Sequence, residues 1–302
     1  MNTLYYIALF VLGISWGSFS NVLILRYDPD RNVFSGPSLS GRSHCMSCRH
    51  TLSWYELIPV LSFLFQLGRC RHCKVKLSIQ YPIVEVIGGV ITAGIPYFLN
   101  NFFGISSQLF FTGSLPFWYY GLMVLWVLIF FVLLLITVID FRLFLIPNEL
   151  NVLLGFLGVG VALIMSMDTS GIILPFRESF LRQYVMIFSP SQNVLLNHGL
   201  GALIGFGFFL ALSIFTRGRG IGFGDVKLAL AMGLALGWPD IALAIMLSFI
   251  LGGVLSVGLI LAGRKHMKDK VPFAPLFVAG FILTYFCGYA IVKGYFGIFR
   301  LS

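Results

Sequence analysis

Apolar runs long enough to cross a bilayer alternate with short polar breaks along nearly the whole chain. They cover residues 4–25, 82–99, 117–139, 150–167, 193–216, 226–237, 241–262 and 271–292. A hydrocarbon core takes about 20 residues of helix, so the pattern predicts an all-α polytopic membrane protein with about eight crossings. The run 226–237 is the exception: about twelve residues rise only about 18 Å of a core about 30 Å thick. Whatever precedes it is expected below the membrane surface, where irregular backbone is tolerated only against protein or a water-filled cavity. The first run has no basic residues before it and exceeds the signal-peptide core of about 7 to 15 residues. It is expected to remain as a membrane helix.

Composition agrees. Of the 302 residues 58% are hydrophobic and 10% charged, with a mean hydropathy of +0.94, whereas soluble domains are about a quarter charged. The net charge of +9 does not mark a nucleic-acid binder, because the charges follow topology. Sixteen of the 20 Lys and Arg fall on one side of the predicted helices and four on the other. By the positive-inside bias the long polar segment 26–81 is cytosolic and both termini lie outside. Small residues in the first helix, Gly17, Ser18, Ser20 and Asn21, read as helix-packing positions, as do Gly201 and Gly205 in GxxxG register. Glu85, near the cytosolic end of the second helix, reads equally as a functional carboxylate or as one that snorkels or pairs with a loop arginine.

The cytosolic segment carries Cys45-Met46-Ser47-Cys48 and Cys70-Arg71-His72-Cys73, with 21 residues between the pairs. Cytosolic thiols stay reduced, and two C-x-x-C knuckles suit a tetrahedral zinc site, each presenting two thiolates. The separation slightly exceeds the usual spacing of about 15 to 20. Cys45, Cys48, Cys70 and Cys73 are therefore the expected ligands of one structural zinc. His44, His50 and His72 read as polar loop residues beside them, and Cys287 in the last helix as a small buried residue.

The densest chemistry is Arg219-Gly220-Ile221-Gly222-Phe223-Gly224-Asp225-Val226-Lys227. Three alternating glycines strip the backbone of side chains, so another chain can approach it closely. A nucleotide-binding reading fails because no strand precedes the glycines and no βαβ unit surrounds them. A second carboxylate, Asp140, closes the apolar run 117–139 on the same, cytosolic side, ahead of Pro147, which is placed to open the next helix. Two carboxyls brought together share a proton: the ionised one activates water and the protonated one polarises a carbonyl. The other acids have blander readings. Asp168, Glu178 and Asp240 are expected outside, the last in a tight Trp238-Pro239-Asp240 turn. Asp28, Asp30, Glu56, Glu149 and Asp269 are expected in solvated loops.

These residues together resemble the bacterial type IV prepilin peptidases, membrane aspartic proteases of the GxGD type. The resemblance rests on Gly17-Ser18-Phe19-Ser20-Asn21, both cysteine knuckles, Tyr81-Pro82-Ile83-Val84-Glu85, Asp140 with Pro147, Gly222-Phe223-Gly224-Asp225-Val226-Lys227-Leu228 and Pro272-Phe273-Ala274-Pro275. It implies an inner-membrane enzyme in which Asp140 and Asp225 remove a basic leader from prepilins or pseudopilins on the cytosolic side. It also implies methylation of the new N-terminus with S-adenosylmethionine. On that resemblance residues 1–100 are expected to form the methyltransferase part and 101–302 the peptidase part. Gly220, Gly222 and Gly224 are expected to bind substrate backbone, and anionic lipid to concentrate the basic leader, since the enzyme's own cytosolic face is basic. Two other classes stand beside this one. A proton-coupled transporter would use the two aspartates as a relay, and a zinc-stabilised membrane scaffold would need neither.

Overall fold

The computed structural model describes residues 3–36, 40–102, 117–167, 179–189, 193–218, 220–263 and 271–298. Arg219 and residues 103–116, 168–178 and 264–270 lie outside the described residues. With them go the expectations for Asp168, Glu178 and Asp269. The chain forms two compact units, Met1–Asn101 and Phe102–Ser302, each of which is helical.

In the first unit, α1 (Thr3–Arg26) packs on α3 (Gln80–Phe102), and a short α2 (Leu61–Phe65) lies in the segment between them. The contact needs small residues. A Cβ at Gly17 would stand 2.6 Å from Glu85 Cα, and one at Gly88 would stand 2.9 Å from Gly17 Cα. Thr92 Oγ1 donates to Leu9 O at 2.8 Å and Asn21 Nδ2 to Tyr81 O at 3.0 Å. The packing reading of the polar and small positions in α1 therefore holds, since helices in lipid associate through close contact and interhelical hydrogen bonds. Among the described residues no arginine pairs with Glu85. It accepts from the Val60 N–H at 2.7 Å and from the Ser18 hydroxyl.

The second unit contains α4 (Phe117–Leu143), α5 (Asn148–Met165), α6 (Val185–Phe188), α7 (Val194–Phe215), α8 (Phe223–Leu236), α9 (Asp240–Leu261) and α10 (Ala274–Ile298). Among the described residues seven helices are long and apolar enough to cross a membrane, and α8, at 14 residues, accounts for the eighth expected run. It starts three residues earlier than expected, so Gly224 and Asp225 belong to its first turn. Likewise α4 runs past Asp140 to Leu143, since no breaker intervenes until Phe144 at φ 52°.

Glycines set the depth of α8. Gly158 of α5 meets the backbone of Leu234 and Ala235 at 2.8 to 2.9 Å from where its Cβ would be; Gly201 of α7 meets Gly237 C at 2.6 Å, and Gly205 meets Ala229 O at 2.7 Å. The GxxxG register thus serves α8. Away from Asp140 and Asp225, α4 and α10 enclose an aromatic cluster in which Tyr285 lies 4.7 Å from Trp126 and 4.3 Å from Phe180.

Two expectations are corrected by the structure. Asp240 does follow a Trp238-Pro239 turn, but it is only 1% exposed, its carboxylate set against the Ser179 hydroxyl and the Phe180 and Leu181 N–H groups. Cys287 lies on the outer surface of α10 and is exposed.

Candidate active site and metal centre

The carboxyl site is assembled from helix ends. Asp140 sits in the last turn of α4, buried, and accepts a hydrogen bond from the Ala274 N–H. Ala274 is the first residue of α10, where a helix has no internal acceptor for its N–H. Pro272 and Pro275 carry no N–H at all, so the Pro-Phe-Ala-Pro motif, readable as a mere helix start, presents this donor to the acid. That role was not legible in the sequence; the only signal was a free helical N–H between two prolines.

Asp225 sits in the first turn of α8, where the helix dipole favours negative charge. Its Oδ2 accepts from the Gly222 N–H at 3.1 Å, and its own N–H donates to Gly222 O at 3.1 Å. The two bonds close the N-terminus of α8 on itself. The Asp140 charge acts on Asp225, so the structure brings the two carboxyls into one electrostatic neighbourhood.

The glycine stretch packs against the α4–α5 turn. A Cβ on Gly224 would touch Ile146 at 3.4 Å, and Lys227 Nζ donates to Asn148 Oδ1 at 2.8 Å while lying over the Phe223 ring. None of Gly220, Gly222 and Gly224 has a positive φ, and a Cβ on each would find its nearest neighbour at 3.4 to 3.6 Å. The fold itself could house alanine at each. Only 220–222 are non-helical, so the bare strap is shorter than the stretch Gly220–Gly224 suggested.

In the first unit the four knuckle cysteines come together, their sulfurs all within 4.8 Å of one another. Zn–S bonds of about 2.3 Å in a tetrahedron place sulfurs about 3.8 Å apart, and Cys45 Sγ lies 3.9 Å from Cys73 Sγ. The two knuckles repeat one another. Cys45 N–H bonds to His50 O and Arg49 N–H to Cys45 O, as Cys70 N–H bonds to Val75 O and Lys74 N–H to Cys70 O, all at 2.9 to 3.0 Å. The position after each second cysteine, Arg49 or Lys74, takes a positive φ of 56° or 60°. His50 stacks on His72 at 4.8 Å, and among the described residues no histidine joins the sulfur cluster.

The thiols divide in acidity. The Cys48 N–H lowers Cys45 to about 7. For Cys48 the His50 N–H favours the thiolate, yet desolvation and the neighbouring thiols Cys73, Cys45 and Cys70 push it up to about 11. Four sulfurs this close cannot all ionise on their own, whereas a bound divalent cation makes that state favourable. The cluster fits zinc by geometry and by donor set.

Comparison with known proteins gives the family. Residues 11–98 match the bacterial peptidase A24 N-terminal domain and 126–257 the type IV leader peptidase family. A prepilin leader peptidase/N-methyltransferase of Bacillus subtilis (strain 168) is 31% identical over 95% of this chain and 96% of its own length. The chain belongs to the type IV leader peptidase family. Relatives with the same description from Aeromonas hydrophila and Vibrio cholerae are 27% and 28% identical, over 92% and 95% of this chain and 90% and 98% of theirs. No solved structure matches. Asp140 and Asp225 fall inside the segment matched to the leader peptidase family, and the sulfur cluster inside the segment matched to the N-terminal domain. Neither comparison supports a transporter. Seven apolar helices and this family place the chain in a bacterial inner membrane as a multi-pass protein.

Proposed function

We propose that this protein removes the leader of type IV prepilins or pseudopilins with Asp140 and Asp225 as its catalytic pair, and N-methylates the new terminus. The observation that carries the peptidase reading is the convergence of those two carboxyls at one end of the helical unit, each held by a backbone N–H, from Ala274 and from Gly222. Two such groups share one proton. The ionised member takes a proton from water as it attacks the scissile carbonyl, and the protonated member donates to that carbonyl's oxygen.

Gly220, Gly222 and Gly224 bind the substrate backbone in this reading. Their lack of any steric need for glycine supports it, as does the first turn of α8, where the Phe223 and Gly224 N–H groups have no helical acceptor. The site faces the cytosol and both termini face outward, by the positive-inside bias. Anionic lipid concentrates the basic leader, each Lys or Arg gaining about 1 kcal/mol at the surface.

Methyl transfer from S-adenosylmethionine belongs to residues 1–100 and cleavage to 101–302. The relatives' shared description and the bacterial N-terminal domain support methylation. One zinc on Cys45, Cys48, Cys70 and Cys73 orders the cytosolic segment and takes no part in cleavage. The deciding experiment is leader removal in membranes by Asp140→Asn and Asp225→Asn, each expected to be inactive yet inserted. Cleavage by either variant near the wild-type rate overturns the pair.

A further inference from the structure

The segment between the two cysteine knuckles presents an apolar surface that neither the sulfur cluster nor the carboxyl site uses. Trp54, Phe65 and Leu67 are 77%, 78% and 85% exposed, and Leu57, Leu61 and Leu64 are exposed beside them. Helix α2, Leu-Ser-Phe-Leu-Phe, buries none of its five residues. Among the described residues of its own unit, nothing covers this surface.

One hydrogen bond ties the segment to a crossing helix. Val60 immediately precedes α2, and its N–H donates to Glu85 Oε2 at 2.7 Å. Val60 takes φ 61°, a region a β-branched residue avoids, and such strain persists only where the surroundings impose it. Glu85 is the sixth residue of α3, so the bond lies about 7.5 Å along that helix from its start. Elements lying in a bilayer interface bury their apolar faces about 5–10 Å into the headgroup and acyl boundary. The anchor therefore pins Leu57 to Leu67 at the level where a crossing helix enters lipid.

Charge points the same way. Between 41 and 80 there are six Lys and Arg and one acid, Glu56. That acid is buried, with Oε2 accepting from the Ser53 N–H at 2.9 Å, which corrects its expected solvated position. Arg69, Arg71, Lys74 and Lys76 are exposed, and the Arg71 guanidinium lies over the Tyr55 ring at 5.1 Å, tying the second knuckle to the aromatic segment. Exposed apolar and aromatic side chains rimmed by basic ones are the signature of binding in the plane of an anionic membrane.

We propose that residues 54–67 form an interfacial membrane element that inserts into an anionic phospholipid surface, so that the metal cluster holds a lipid-seated platform. A docking surface for protein would not need to be pinned to the depth of a crossing helix, nor be ringed by one sign of charge. Such lipid contact does not depend on the catalytic assignment.

The test uses full-length, zinc-loaded protein in vesicles of mixed anionic and neutral phospholipid, with nitroxide-labelled lipids as quenchers. The Trp54 signal is the difference in emission between the wild type and Trp54→Phe. It is expected to be quenched at least about twofold more by a nitroxide near the headgroup than by one at the bilayer centre, and to be shielded from aqueous iodide. Leu64→Ser with Phe65→Ser, at unchanged zinc content, should weaken that quenching, and the weakening should be greatest in anionic vesicles. Quenching by iodide without quenching by lipid would mean the segment stands in water. Protection from both quenchers would mean protein covers it. Either result overturns the proposal.

Discussion

Gly201→Ala tests whether the depth of α8 governs activity. The new Cβ would lie 2.6 Å from Gly237 C and 2.7 Å from Gly233 O, against about 3.4 Å for a tight but ordinary contact. These nearest neighbours are backbone atoms, which cannot swing aside. Helices α7 and α8 must then separate by about 0.8 Å, the overpacking costing about 1–3 kcal/mol. Asp225 rides on the same short helix, eight residues from Gly233 and thus about 12 Å along its axis, so a shift of the helix moves the acid against Asp140.

A misplacement of about 1 Å at a reacting group costs up to about a hundredfold. Prepilin cleavage by Gly201→Ala in membranes is therefore expected to fall about ten- to a hundredfold, with the loss mainly in kcat. Gly199→Ala, two residues away on the same helix, is the matched control, since a Cβ there meets nothing within 4 Å. Alanine should even favour that helix, by up to about 1 kcal/mol. Wild-type turnover by Gly201→Ala would refute the reasoning, as would an equal loss at Gly199.

Other expectations follow from single contacts. Ala274→Pro keeps a residue suited to the first helical position but removes the N–H that bonds to Asp140; losing a hydrogen bond to a charged group costs about 1.5–3 kcal/mol, so cleavage should drop at least tenfold in a steady-state assay, and unchanged cleavage would remove Ala274 from the site. Asp240→Asn leaves one acceptor facing the Ser179, Phe180 and Leu181 donors and should lower stability by about 1–3 kcal/mol in thermal unfolding. Elemental analysis of the parent should find about one zinc per chain and Cys45→Ser with Cys48→Ser should abolish it, whereas an intact disulfide without metal would exclude the zinc centre. Lys74→Gly relieves a positive φ and should stabilise the second knuckle by about 1 kcal/mol, read as slower metal loss to a chelator.

The membrane class and the positions of the long helices were legible because each apolar run answers to one constraint, the thickness of lipid. The sulfur cluster was legible because C-x-x-C fixes two ligands locally and only one long-range meeting remained. What stayed hidden depended on contacts between distant residues. Asp240 looked like an external turn acid because its partners, Ser179 to Leu181, lie some sixty residues earlier and carry no pattern. Glu85 stayed open in the sequence because its partner is a backbone N–H, from a loop whose apolar residues gave no periodic signal. Helix ends were missed by a turn at Asp140 and at Asp225, since both acids are compatible with helix or loop and tertiary contacts decide.

Those two shifted boundaries bear on how the acids are held. Asp140 lies in the C-terminal turn of α4, where the helix dipole opposes a negative charge, while Asp225 lies in the first turn of α8, where it favours one, each effect being about 0.3–1 kcal/mol at exposed sites. A carboxylate at the end of α4 therefore needs compensation, and α10 supplies it by starting at Ala274 with its N–H on Asp140. The glycine motif and the Pro-Phe-Ala-Pro motif are thus physically equivalent, because each starts a helix whose positive end meets an acid. Sequence spacing does not reveal that equivalence, because one motif carries its own acid and the other serves an acid more than 130 residues earlier. It also explains why a 14-residue helix suffices in the centre of the unit: its start must stop short of the surface, at the depth where α4 ends and α10 begins.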